Sequence, residues 1–380
     1  MTSFVDLGSL PFNIGTREVP TNAPFPDELP FAAAFDDQLG AIAQVGNSQV
    51  AKVLERVYAR GSQLGTPMGD YGLGKATCED FIGFLLGALQ RSDLKGVKLL
   101  EIGCGTGFLL SQLHARGAAV LGIEPGARSS IHADRAGVPV MHQPFESTQL
   151  KGNFDLVVHT GVMEHVTAPL DFLGKQLAIL ADHGRIALVV PDCGPPIHHG
   201  DISMFVHEHW SYFTMASLTS IVTRAGGQLA ATRKAGVGGA IYAVVARGSP
   251  PDSAPTVAFA DAQREFAGFA ERASRGQDAI RAFFASRRGQ TLGVYCPGRF
   301  LNYWTRAGKP ALRFFDDDRG LHGRYFPPIP FSVETREQLL RHPVDSLLIM
   351  SRTFGEALAA DLRREPALHN REIMTVAQLF

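Results

Sequence analysis

The stretch "LLEIGCGTGFLL", residues 99–110, decides the fold. It reads as a buried strand, a tight glycine turn and the start of a helix. Gly103, Gly105 and Gly107 let the backbone bend sharply and approach a ligand closely, and the helix start behind them offers free N–H groups. Glu101 precedes the turn in an E-x-G-x-G-x-G arrangement. Glu124 ends the next strand, roughly 20 residues on, where an acidic side chain grips a ribose diol. A dinucleotide fingerprint, G-x-G-x-x-G, would space its last glycine further out.

Outward from this turn the pattern repeats. "VKLLEIG", "AAVLGIE", "FDLVVHT" and "RIALVVP" are short β-rich runs separated by helices, the signature of a parallel α/β sheet. This block is expected to occupy residues 76–195, led in by a helix over "CEDFIGFLLGAL". Residues 1–75 are expected to be an irregular lead-in, because Pro20, Pro24, Pro26 and Pro30 interrupt any long element, apart from a helix over "NSQVAKVLERVYARG". Residues 196–255 contain "FVHEHWSYF" (205–213), then the strand-like "AIYAVVARG" and a Pro/Ser linker, "SPPDSAP", at 249–255. Residues 258–288 read as one amphipathic helix. "TLGVYCPG", "KPALRFFDDD" and "DSLLIMS" then give a second α/β series within 256–380.

With 380 residues the chain is too long for one ordinary core. Apolar residues are 45% and charged residues 19%, an ordinary globular composition. A net charge of -1 argues against a nucleic-acid footprint. No basic-then-apolar leader opens the sequence and no apolar run reaches the ~18 residues of a spanning helix. Cys78, Cys104, Cys193 and Cys296 are scattered without a C-x-x-C pair. A cytoplasmic protein, monomeric or homodimeric, acting on a small molecule without nucleic acid or membrane is the expectation.

"LLEIGCGTG" with "LGIEP" resembles the class I S-adenosylmethionine-dependent methyltransferases. The resemblance implies a Rossmann-like catalytic sheet with S-adenosyl-L-methionine as cofactor. Gly103 and Gly105 would face its methionine end, with Glu101 and Gly107 completing the turn. Glu124 and Pro125 would meet the ribose, Glu146 in "QPFES" the adenine, and His159 and Thr160 the pocket near the transferred methyl. "GDISMFVHEHWSYFT", "VTRAGGQL" and the second α/β block narrow the likeness. Over roughly residues 60–375 they resemble the natural-product sugar C-methyltransferases that act on nucleotide-linked deoxy-keto sugars. A second Rossmann-like α/β domain then holds the nucleotide, with Gly298 and Arg299, or Arg306, near its phosphates.

The chemistry of that family explains the histidines. A carbon beside a ketone becomes a nucleophile only after losing a proton, and histidine is the usual base. His209 matches the family's proposed base, Glu208 and His207 match neighbouring pocket positions, and His165 in "VMEHV" a further active-site histidine. Two departures stand out. The tyrosine that normally precedes H-E-H is Val206 here, leaving Tyr71 or Tyr212 to supply a hydroxyl. The family's four-cysteine zinc module is missing, since residues 1–77 contain no cysteine, so no metal is expected. Two alternatives stay open: an O- or N-methyltransferase on another small metabolite, and a non-catalytic cofactor- or nucleotide-binding subunit.

Overall fold

The computed structural model describes residues 4–58, 68–126, 131–150, 152–248 and 256–380. The expected linker at 249–255 lies outside them.

Residues 4–44 are not irregular throughout, although 12–27 form no regular element. The segment forms three antiparallel strands, β1 (Phe4–Pro11), β2 (Glu28–Asp36) and β3 (Ala41–Gln44). In β2, "ELPFAAAFD", Leu29, Phe31, Ala33 and Phe35 point inward and their neighbours outward, a period of two that buries one face. The prolines do not break this sheet, because Pro30 pairs with Ser9 at the register shift between Asp6 and Ser9, where a missing N–H is tolerated. Helix α1 (Ser48–Tyr58) follows.

The α/β block is present as expected. Helix α2 (Gly72–Ala88) leads into β4 (Lys98–Ile102), α3 (Phe108–Ala115), β5 (Ala119–Ile123), α4 (Ile131–Ala136), β6 (Val140–Met141), β7 (Phe154–Thr160), α5 (Pro169–Ile179) and β8 (Leu180–Pro191). Four of the five residues of β4 are buried, as a strand covered on both faces requires. Next come α6 (Gly194–His199), β9 (Ser211–Tyr212), α7 (Met215–Arg224), β10 (Gly227–Lys234) and β11 (Ala240–Arg247). The seven-stranded sheet has the order β10-β11-β8-β7-β4-β5-β6, with β11 antiparallel to both its neighbours, β10 and β8, and the remaining pairings parallel. Strand β4 connects onward to β5 on one side and has β7 on the other. The crevice beyond the carboxyl ends of β4 and β7 is therefore the switch point where open α/β sheets bind ligands.

The expected single helix over 258–288 is two, α8 (Thr256–Phe266) and α9 (Phe269–Ala285), broken where Gly268 takes a positive φ of 71°. Strands β12 (Leu292–Tyr295), β13 (Arg313–Phe315), β14 (Val333–Glu334), β15 (Ser346–Ile349) and β16 (Glu372–Thr375) form a second, wholly parallel sheet ordered β14-β13-β12-β15-β16. One apolar core joins the first and last parts of the chain: Phe31 of β2, Phe205, Tyr212, Phe269 of α9, Val294 of β12 and Phe314 of β13 belong to it. Among the described residues no helix is long and apolar enough to cross a membrane.

Candidate active site

The glycine turn is tied through the backbone to the end of β5. Gly103 N–H and Cys104 N–H both donate to the carbonyl of Ile123, at 2.8 and 3.2 Å. Gly103 and Gly107 have φ of 68° and 75°. A Cβ on Gly103 would stand 2.5 Å from Val162 Cγ2, and one on Gly107 2.5 Å from Ala133 Cβ, so both positions exclude larger residues. Glu124 spans the mouth of the turn: its Oε2 accepts from Gly105 N and its Oε1 from Gly126 N, each at 2.9 Å. Each oxygen keeps a second lone pair for an incoming hydroxyl. Beneath them Glu101 is 1% exposed and its Oε2 has no partner. Burial, with the Glu124 charge nearby, pushes its carboxyl well above the usual range.

Of the other expected cofactor contacts, His159 turns away from the crevice. Thr160 is buried at the end of β7. His159 points into the core on the opposite side of the strand, edge-on to Phe172 at 5.2 Å between centroids. Both its nitrogens are unpartnered and burial lowers its pKa to about 3, so it is a neutral ring against α5. Pro125 and Glu146 are exposed on the rim. Glu146 borders a cleft of about 560 Å³ whose other walls include Leu54 of α1, His165, Phe172, Lys175 and Trp210.

The H-E-H segment is held from three directions. Strand β9 adds to the N-terminal sheet beside β3, pairing Tyr212 with Ile42 and Ser211 with Ala43. Trp210 N–H donates to the Glu164 carbonyl at 2.7 Å, tying the segment to the turn after β7. From the short helix Leu301–Trp304 after β12, Asn302 Nδ2 donates to the carbonyls of Ile202 and Phe205, both at 2.7 Å, and Tyr303 OH donates to Asp201 at 2.9 Å. These contacts bring His165 and His209 together, their rings 4.7 Å apart and nearly perpendicular. Both are half-buried. Burial lowers the pKa of His165 to about 4, and burial, His165 and Arg299 hold that of His209 well below the ordinary histidine value. The pair is neutral at pH 7. Glu164 is 3% exposed and burial raises its carboxyl to about 8.

Several expected site residues sit elsewhere. His207 and His209 diverge. His207 is buried in the seam with the N-terminal sheet, where its Nε2 donates to the Leu29 carbonyl at 3.1 Å and its ring is boxed by Phe12 and Phe31. Tyr212 is 1% exposed, and its hydroxyl donates to the Val206 carbonyl at 3.0 Å and accepts from Val206 N at 3.3 Å, bracing the backbone where the resembling family has its tyrosine. Tyr71 is 62% exposed, with its hydroxyl against Gly320. Glu208 reaches the histidine pair through its backbone, its carbonyl accepting from His165 Nδ1 at 3.1 Å. Its carboxylate is buried without a partner and is pushed up to about 8. Gly298 and Arg299 are exposed at the turn after β12, and the Arg299 charge adds to burial and His165 in holding His209 low. Arg306 instead donates to the Leu7 carbonyl.

Glu164 is the site residue that the sequence did not single out. The signal for Glu164 was present, an acid beside a histidine directly after a strand end in "VMEHV".

Residues 73–231 match the family model of the methyltransferase domain, and this part of the chain is a methyltransferase domain of the class I, Rossmann-like fold. The ubiquinone biosynthesis O-methyltransferase of Rhodopseudomonas palustris (strain HaA2) is 36% identical over 103 residues, 26% of this chain and 41% of that protein. The enzyme of the same name from Methylobacterium sp. (strain 4-46) is 39% identical over 103 residues, 25% and 41%. The chain thus spans about two fifths of the length of the curated relatives it matches. Among solved structures, the 1,6-didemethyltoxoflavin-N1-methyltransferase of Burkholderia thailandensis aligns with a TM-score of 0.41 and 16% identity, over 58% of this chain and 96% of that one. Magnesium protoporphyrin IX methyltransferase of Synechocystis PCC 6803 gives 0.40 and 15%, over 54% and 99%.

Proposed function

We propose that this chain is an enzyme that transfers a methyl group from S-adenosyl-L-methionine to a carbon of a nucleotide-linked keto-sugar. The observation that carries the reading is a convergence. The glycine turn with Glu124 follows β4, and the neighbouring strand β7 leads into the turn that carries His165 against His209, with Arg299 of the turn after β12 acting on His209.

The cofactor lies along the turn. Its ribose hydroxyls donate to the free lone pairs of Glu124, and its ammonium gives the buried Glu101 Oε2 the partner it lacks. Thr160 borders the methyl, Pro125 the ribose and Glu146 the adenine. The acceptor's nucleotide rests on the C-terminal sheet, with its phosphates near Gly298 and Arg299. The sugar carbon beside the ketone loses its proton at the His165–His209 pair, with His209 as the acceptor-activating residue. The carbon's electron pair then forms the new C–CH3 bond while the S–CH3 pair returns to sulfur, leaving S-adenosylhomocysteine. Holding sulfonium, carbon and base on one line is the positioning that the three-way clamp on residues 201–212 provides.

One observation favours a second reading, transfer to a hydroxyl oxygen. A histidine whose pKa is held this low is a weak base, and a hydroxyl surrenders its proton more readily than a carbon. A trideuterated methyl donor with nucleotide-linked keto-sugars in deuterium oxide separates the two. C-methylation gives a labelled product with solvent deuterium exchanged at the carbon next to the ketone, and O-methylation gives label without exchange. No labelled product with any acceptor, from protein that binds S-adenosylhomocysteine, would count against catalysis.

A further inference from the structure

Three ligand-type side chains meet beside the cleft. A carboxylate oxygen of Glu164 and one ring nitrogen each of His165 and His209 all lie within 4.8 Å of one another. Ligand atoms on opposite sides of one small divalent ion stand about 4.4 Å apart, twice a bond of about 2.0–2.2 Å, so a small rotamer adjustment closes the set. Glu164 is 3% exposed and its Oε2 has no partner, a cost that burial alone leaves unanswered. His165 Nδ1 donates to the Glu208 carbonyl at 3.1 Å, which leaves the lone pair on Nε2. Such a backbone partner behind the ring is how metal-bound histidines are oriented. The 2.7 Å bond from Trp210 N–H to the Glu164 carbonyl aligns the two segments, so the ligands are positioned before any ion arrives.

We propose that Glu164, His165 and His209 form a binding site for a divalent first-row transition-metal cation whose remaining coordination position takes an oxygen of the acceptor. Two imidazoles and a carboxylate suit zinc, iron, cobalt or nickel, whereas magnesium and calcium favour all-oxygen sites. Three protein ligands leave room for a keto or hydroxyl oxygen, which the cation polarises as a Lewis acid. This rests on the reading of the cluster as the acceptor-activating site, and it makes His209 a ligand where a free imidazole would be a base. The cysteine-free N-terminus, which removes the four-cysteine module, has no bearing on this cluster.

The test uses Co2+ alone as probe, titrated into chelator-stripped full-length protein and followed by visible absorption. One equivalent is expected to bind with the absorption of a four- or five-coordinate ion. Glu164→Gln and His209→Ala should each weaken it at least about 10-fold with far-ultraviolet circular dichroism unchanged, and a His198→Ala/His199→Ala double variant should bind as wild type. Absence of saturable binding, binding untouched by Glu164→Gln and His209→Ala, or binding lost with His198 and His199 would overturn the site. Titration of S-adenosylhomocysteine into the same samples keeps the two readings apart. Cofactor binding without Co2+ binding refutes the cation site and spares the methyltransferase reading. Co2+ binding without cofactor binding supports the site and refutes that reading.

Discussion

Glu101 is a carboxyl kept where stability does not want it. Its folded pKa lies well above the unfolded value because burial and Glu124 both oppose its charge. For a group shifted in this direction the folded state holds the proton more tightly than the unfolded state. The associated stability is therefore complete below the unfolded pKa and is lost as pH rises towards the folded one. Glu101→Gln removes the titration and keeps the shape. Urea unfolding should show the variant gaining on wild type progressively between pH 5 and pH 8, while its affinity for S-adenosylhomocysteine falls. A constant difference across that range would mean that Glu101 is not the group responsible.

At the scale of elements, the N-terminal sheet and the H-E-H segment are one unit. His207 fills the seam between β2 and residues 205–212, and truncating it leaves a cavity between Phe12 and Phe31 and an orphaned Leu29 carbonyl. His207→Ala should cost about 2–4 kcal/mol of stability, read by denaturant unfolding, whereas an exposed histidine would cost close to nothing. This unit was the least legible part of the sequence. Its central strand is alanine-rich, and alanine has little strand preference. Its proline sits at a register shift that only the partner strand reveals. The break at Gly268 was hidden for the opposite reason, since an isolated glycine inside a helical pattern is often tolerated. The turn at 101–107 was readable because its constraint is local, with glycines that no larger residue can replace and an acid one strand later. His165 and His209 were readable from the resemblance. That Glu164 joins them, and that His207 and Tyr212 turn inward, depends on contacts between segments far apart in the chain.

Across the whole molecule, the second parallel sheet earns its place by reaching the methyltransferase domain. Asn302, Tyr303 and Arg352 grip residues 201–205, and Arg299 stands exposed near His209. If this sheet presents the acceptor's phosphates, Arg299→Ala should raise the acceptor KM by about 10-fold or more, the scale of one charge-assisted contact, with S-adenosylhomocysteine affinity unchanged. Steady-state kinetics beside a cofactor titration would show it, and a parallel loss of both would assign Arg299 to the fold instead. Beneath all of this lies the claim that the 101–107 turn and Glu124 hold the methyl donor. Calorimetric titration of S-adenosylhomocysteine into wild type and Glu124→Ala tests it most directly. The account predicts one site per chain in the wild type, weakened by about 2–3 kcal/mol in the variant through loss of the charge-assisted hydrogen bonds; no binding to the wild type, or equal affinity in the two proteins, would contradict it.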